Sequence, residues 1–373
     1  MPYEILLKQK PIGYAKGSAC EGETAIVVAR EFLSSEDGER FFTRMDGWPS
    51  TIIDALPAEA GISPANVEHL VALIRQDLTA TVYVNELKQI MRIRSAGPIE
   101  AGQAVRESDI ADVIEMQFEG LEVPADVGLI IVFSYRWRKG LFFDYLPFHD
   151  PAYRRPYDLS KLLSASFAYV MNQALFRLTD DDWSFLNAAG WFPFTSLPLD
   201  TRSSFISFAR SRMDLDILQP KVKEFLDARL SRLIENWRRK ATFAAHIDLL
   251  KHAASEFSEG DYLSAIALVI PRIEGLMRDV HTSVAAREKA SPRNLTERLL
   301  EGRRAQLHEY SWLLPARFIQ FLHEGYFANF EPGQPAKLSR HSVAHGVASL
   351  TDFNEKTACI AFLTLDQMFW LLP

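Results

Sequence analysis

Cysteine is nearly missing from this chain: 373 residues hold two, Cys20 and Cys359. Two thiols so far apart cannot form a disulfide framework, and free thiols in a reducing cytoplasm are expected. Long apolar runs are lacking too. No stretch approaches the ~20 consecutive apolar residues of a membrane helix, and Met1-Pro2-Tyr3-Glu4-Ile5 lacks the basic and apolar regions of a signal peptide. A cytoplasmic chain with no membrane contact is the expectation. There is no glycine-rich phosphate loop closing in Gly-Lys-Ser/Thr, no Cys-x-x-Cys pair and no recognisable nucleophile elbow. Nor is there an excess of positive charge. Forty-one Lys+Arg against 48 Asp+Glu leave a net charge of −7, which argues against nucleic-acid affinity spread over the whole surface. The imbalance is local. From Gln219 onward 20 basic residues face 18 acidic ones, so the whole negative excess precedes that point.

What is present suits a folded chain of two parts. Apolar residues make up 48% and charged residues 24%, ordinary values for globular domains. The pattern reads as α+β: an N-terminal mixed domain over residues 1–210 with an antiparallel sheet, then an all-α bundle over 211–373. Strand signals occur at Ala25 to Ala29, Thr81 to Val84, Ile90 to Ile93, Val113 to Phe118, Leu129 to Tyr135 and Leu141 to Leu146. Ser63 to Leu78 reads as a helix, with Ser63 as cap, Pro64 in the first turn, and Val67, Leu70, Val71 and Ile74 on one face. Leu159 to Phe176 is helical, and the aromatic passage from Trp183 to Phe194 reads as core. Beyond Pro220 the three- and four-residue periodicity is nearly continuous.

Arg136-Trp137-Arg138-Lys139-Gly140 reads as a hairpin turn. Its mixture of cations and a stacking ring can hold phosphates and unpaired bases, which makes Arg136, Trp137, Arg138 and Lys139 candidate RNA contacts. The plainer reading is a charged turn that keeps a sheet edge soluble.

The most informative stretch lies near the end: Leu338-Ser339-Arg340-His341-Ser342-Val343-Ala344-His345-Gly346. An arginine followed by a histidine after four to six residues also occurs at Arg239/His246, Arg303/His308 and Arg317/His323. Arg340/His345 differs in context. A polar His341 follows the arginine directly, Gly346 follows the histidine as a left-handed helix end, and one more long helix comes after it, with Thr351 or Asp352 as its cap. In this the C-terminal part resembles the HEPN superfamily, small all-α domains of which many are metal-independent ribonucleases. On one helix, five residues place Arg340 and His345 about 140° apart. Either the arginine stands at a loosened helix start or a second copy completes the site. The resemblance implies the latter, two protomers joining their motifs across a homodimer interface.

The resemblance further implies an endoribonuclease that needs no metal or other cofactor, plausible in a toxin or antiphage defence setting with a regulatory protein partner. His345 then serves as acid/base and Arg340 grips the phosphate, with His341 and Glu274 in support. Glu274 belongs to Pro271-Arg272-Ile273-Glu274-Gly275-Leu276-Met277-Arg278, where Pro271 predicts a kink. A carboxylate among apolar neighbours needs a partner. Arg340 and His345 are one choice, a structural bridge to Arg278 the other. The alternative function is an inactive HEPN module for dimerisation and for binding RNA, nucleotide or protein. A zinc site on His341 and His345 is the weakest option, because Ser342 breaks the His-Glu-x-x-His pattern.

Overall fold

The computed structural model describes residues 2–301, 303–328, 339–344 and 346–372. It divides into two compact units. One comprises residues 1–93 and 113–173, the other 94–112 and 174–373. The helical unit therefore begins some 36 residues before the expected boundary at 210, and it takes in a piece from the first third of the chain.

The first unit is built on a six-stranded antiparallel sheet. Its strands are β1 (Tyr3–Leu6), β4 (Arg30–Ser34), β5 (Leu70–Ile74), β6 (Thr79–Val84), β9 (Gly128–Tyr135) and β10 (Arg138–Asp144), in spatial order β1-β6-β5-β9-β10-β4. Two small ribbons complete the strands, β2 (Tyr14–Ala15) with β3 (Val27–Val28) and β7 (Gln89–Ser95) with β8 (Ile110–Phe118). Helices cover both faces of the sheet. Ile130, Val132, Leu141 and Phe143 share a core with Phe41 and Met45 of α1 (Glu39–Met45) and with Ile52 and Ile53 of α2 (Trp48–Asp54). After the short α3 (Leu146–His149), α4 (Leu159–Met171) lies on the other face, where the Phe167 and Phe133 rings are 5.8 Å apart.

The helix expected over Ser63 to Leu78 is not formed. Leu70–Ile74 is instead a central strand buried along its whole length, hydrogen-bonded to β6 and β9. Five apolar residues in a row fill both faces of a covered strand, and their spacing alone cannot distinguish that from a helical stripe. Asn66 folds Ser63 into a turn, accepting its N–H at 2.8 Å, and the β5–β6 connection closes with Leu78 left-handed at φ 70°.

The second unit starts with α5 (Gln173–Phe176), shared with the first, and continues through α6 (Asp180–Ala188), α7 (Leu199–Ser211), α8 (Gln219–Trp237), α9 (Ala241–Ala244) and α10 (Ile247–Glu259). There follow α11 (Tyr262–Ala285), α12 (Pro292–Glu301), α13 (Pro315–Phe321), a π-helical turn at Leu322–Tyr326, α14 (Arg340–Ala344) and α15 (Glu355–Leu371). One core runs from Leu175 to Leu372 and includes Trp191, Phe192 and Phe194, so the aromatic passage belongs to this unit. The helix α15 packs against α8, α11 and α12. Its cap is Asn354, whose side chain accepts the Thr357 N–H at 3.0 Å. The expected caps Thr351 and Asp352 lie one turn earlier, in a 3-10 turn closed by Ser349. Asn caps as well as Ser or Asp does, so the first acceptable residue in sequence need not be the one used. Among the described residues no helix is long and apolar enough to cross a membrane.

Gly140 stands opposite Phe133 in the β9–β10 pairing, with the phenyl ring lying over it. An added Cβ would overlap that ring, so Gly140→Ala is expected to cost about 1–3 kcal/mol through overpacking, read as a lowered urea midpoint in far-UV circular dichroism.

Candidate functional site

Pro271 lies inside α11. Lacking an N–H, it removes the hydrogen bond to the Ala267 carbonyl and crowds that group. One turn on, the Tyr326 hydroxyl accepts the Glu274 backbone N–H at 3.0 Å and donates to the Ile270 carbonyl at 2.8 Å. These two backbone groups pair directly in an undisturbed helix, so the phenol bridges one rung of the ladder. Tyr326 is 8% exposed and closes the π-helical turn. Burial and the nearby Glu274 carboxylate both raise its pKa above the ordinary tyrosine value, and the hydroxyl keeps the proton it donates.

The rung that Tyr326 holds carries Glu274. Its carboxylate is half-enclosed and takes two guanidinium groups, Arg340 Nη1 at 2.5 Å and Arg278 Nη2 at 2.6 Å. Of the partners anticipated for Glu274, Arg340 and Arg278 are both present, and it uses one oxygen for each. Arg340 also lies over the Phe327 ring at 5.4 Å and approaches His341 Nε2 through Nη2 at 3.2 Å. A guanidinium only donates, so that contact assigns the imidazole a bare Nε2 and a proton on Nδ1.

Arg340 is the first residue of α14. Ser339 and Ser342 fix that start: the Ser342 hydroxyl takes the Ser339 N–H at 2.8 Å, and the Ser339 hydroxyl takes the Ser342 N–H at 3.3 Å. The helix ends at Ala344; beyond it Gly346 is left-handed at φ 66°, and the Val347 N–H returns to the Ser342 carbonyl at 2.9 Å. Arg340 therefore stands at a helix start, one of the two arrangements its spacing from His345 permits. His345 lies outside the described residues. Ile270, Pro271, Glu274, Tyr326, Arg340 and His341 line a groove of about 380 Å³.

A groove floored by a proline, a tyrosine and aliphatic groups and edged by Arg340, Arg278 and one carboxylate has a local charge of +1 with His341 neutral. It is equipped to receive a single phosphate group and to exchange a proton through imidazole. No group of three His, Cys, Asp or Glu side chains among the described residues is spaced to hold a metal ion. The other arginine–histidine pairs of similar spacing are used structurally. Arg303 Nε donates to the Leu372 carbonyl at 2.7 Å, Arg317 pairs with Asp180 at 2.7 Å, and His246 pairs with Asp279 at 2.8 Å.

The hairpin residues lie in the sheet unit. Arg138 donates to the Val170 and Met171 carbonyls at 3.3 and 3.2 Å. Lys139 Nζ donates to the Val67 carbonyl at 2.7 Å and the Pro64 carbonyl at 3.1 Å, and burial pulls its pKa below the ordinary lysine value against the pull of Glu68. These two tie the turn to its own unit. Arg136, left-handed at φ 57°, and Trp137, 70% exposed, form the outward tip.

Sequence reasoning missed Tyr326. It fell on an apolar helical stripe, and no spacing rule shows that its hydroxyl enters another helix's backbone. Pro271 marked this stretch of α11 as irregular, but the group it leaves unpaired is the Ala267 carbonyl and not the two that Tyr326 bonds. Neither family models, curated proteins nor solved structures give a match to this chain.

Tyr326→Phe removes one buried hydroxyl and with it two hydrogen bonds to α11, from the Glu274 N–H and to the Ile270 carbonyl. A loss of about 1–3 kcal/mol is expected, measured by urea unfolding; a change below a few tenths would show that the bridge does not support the helix.

Proposed function

We propose that the helical unit is a metal-independent endoribonuclease of HEPN type that works as a homodimer. The observation that carries this reading is the placement of Arg340: it opens a short helix at the edge of a groove and is held there by Glu274 from an earlier helix. That is the acid-to-arginine relation the motif resemblance implies. His341 against the same guanidinium adds an imidazole where phosphate would arrive.

In the proposed reaction the RNA 2′-oxygen attacks the adjacent phosphorus and its proton passes to His345. The bond from phosphorus to the 5′-oxygen breaks, and the leaving oxygen takes a proton from imidazolium. The products are a 2′,3′-cyclic phosphate and a 5′-hydroxyl, so no redox partner is required. Arg340 meets the charge that grows on the phosphorane oxygens. Glu274 and Tyr326 are positioning residues. DNA lacks the nucleophile and is not a substrate. A second reading, an inactive module that binds RNA, nucleotide or a protein partner, is favoured by one observation: the Arg340 guanidinium is already engaged by Glu274, His341 and Phe327.

The test is cleavage of a mixed RNA pool in EDTA. Wild type is expected to cut, leaving cyclic phosphate ends, and Arg340→Ala and His345→Ala are each expected to reduce the rate by about 10²-fold or more while folding is retained. Cleavage that survives both substitutions would remove the motif from the chemistry, and absence of cleavage by wild type would leave the binding module. Light scattering at micromolar concentration is expected to give twice the chain mass; a strict monomer contradicts the shared site.

A further inference from the structure

The helical unit holds a second and larger cleft, of about 780 Å³, within the range of small-molecule sites. One wall is a single face of α8, on which Lys221, Phe225, Arg229 and Arg232 recur at helical spacing. Residues 96–98 and 107–110 form the facing wall, with Arg232 Nη2 lying close to Gly97. The floor is the segment from Thr195 into the first turn of α7, together with Trp312 and Trp370.

Three observations give this cleft a chemical preference. Among the described residues Lys221, Arg229 and Arg232 enter no ion pair. Arg202, in the first turn of α7, is only 4% exposed, yet its Nε has no hydrogen-bond partner, and its Nη2 reaches the Trp312 carbonyl only at 3.4 Å. The buried Thr195 hydroxyl beside it is also unpartnered. The thirteen-residue α7 starts after Pro198 with no side-chain cap, so the first-turn N–H groups lack intrahelical acceptors and present their positive end to the floor.

Three charged groups near the floor are buried, Arg202, Asp112 and Asp366. Asp112 is the carboxylate that interacts electrostatically with Arg94, Arg202 and Arg303. It already accepts from the Ser311 hydroxyl at 2.7 Å and from Trp312 N–H at 2.9 Å. Burial pulls Arg202 down to about 10, so it remains a cation at neutral pH. Neither buried carboxyl group hydrogen-bonds Arg202, whose Nε is left for another acceptor. Five acidic residues, Glu107, Asp109, Asp200, Glu224 and Asp366, line the cleft beside the four cations Arg202, Lys221, Arg229 and Arg232. Asp366 is committed to the Trp237 and Trp370 indole N–H groups at 2.8 and 3.2 Å, and Asp109 to the Arg106 N–H at 2.8 Å. Asp200 and Glu224 are exposed, as are Lys221, Arg229 and Arg232, so water screens both signs there and the buried Arg202 and Thr195 carry the preference.

We propose that this cleft binds a small phosphorylated ligand carrying a flat ring, of the nucleoside monophosphate class. Its phosphate sits on Arg202, Thr195 and the first turn of α7, under Arg229 and Arg232, and its ring lies against Phe225 and Trp370. The site shares no residue with the Arg340 groove, so it stands whether or not that groove cleaves RNA.

The experiment is isothermal titration of the full chain with AMP, inorganic phosphate and adenosine. One AMP per chain is expected, with weaker binding of inorganic phosphate and none of adenosine. Thr195→Val is nearly isosteric and disturbs no existing hydrogen bond of the side chain, so it tests the site in a folded protein. It and Arg202→Met are expected to weaken AMP by about tenfold, and the pair Arg229→Ala/Arg232→Ala by at least as much, with circular dichroism unchanged. Should Arg202→Met fail to fold, Thr195→Val and the surface pair decide. No heat with AMP up to about 5 mM, tighter binding of adenosine than of AMP, or binding that Arg340→Ala abolishes while these variants leave it intact would overturn the proposal.

Discussion

A single phenol braces the groove of the helical unit that holds Arg340. Proline inside a helix leaves backbone groups without partners, and in a packed interior such groups destabilise the fold unless something reaches them. Tyr326 spans one rung of that disturbed ladder, and the residue whose N–H it accepts is Glu274. The carboxylate that anchors Arg340 is thus fixed through its own backbone. The arginine in turn is fixed at its Cα end by the paired serines that start α14. Three separated segments therefore converge through short polar contacts on a site whose walls are otherwise apolar. Each contact is shielded enough to carry more weight than a surface ion pair would.

Charge is placed differently in the two clefts of this unit. Around Arg340 two guanidinium groups share one carboxylate, each on its own oxygen. Around Arg202 both signs line the cleft, but the Arg202 Nε and the Thr195 hydroxyl have no hydrogen-bond partner. The net negative charge of the chain conceals this, because a whole-molecule sum says nothing about which cations have partners.

The legible parts of the sequence were those where local pattern and tertiary environment agree. The α8 stripe from Val222 to Trp237, the strand run Leu129 to Tyr135 and the left-handed Gly346 all follow from period, propensity or backbone sterics. Leu70–Ile74 was misread because a strand covered on both faces has no alternation to show. The pairing of Glu274 was legible as a need, since a carboxylate among Ile270, Ile273 and Met277 must find a cation. The choice was not, because both Arg278 and Arg340 satisfy it at once. Tyr326 and Arg202 were not legible at all. Their roles depend on which backbone groups and which empty space lie beside them, and those are properties of the packed chain.

The piece at residues 94–112 has a consequence for the order of synthesis. Asp112 receives its hydrogen bonds from Ser311 and Trp312, 199 and 200 residues later. As the chain is made, this carboxylate stays in water until more than four-fifths of the protein has emerged, and the guanidinium of Arg202 waits with it. Closure of a loop that long adds little to the final free energy but delays the step that needs it. The helical unit is therefore finished late and from both ends of the chain, and a fragment cut at residue 210 would carry Arg303 into solution without the carboxylate it was built around.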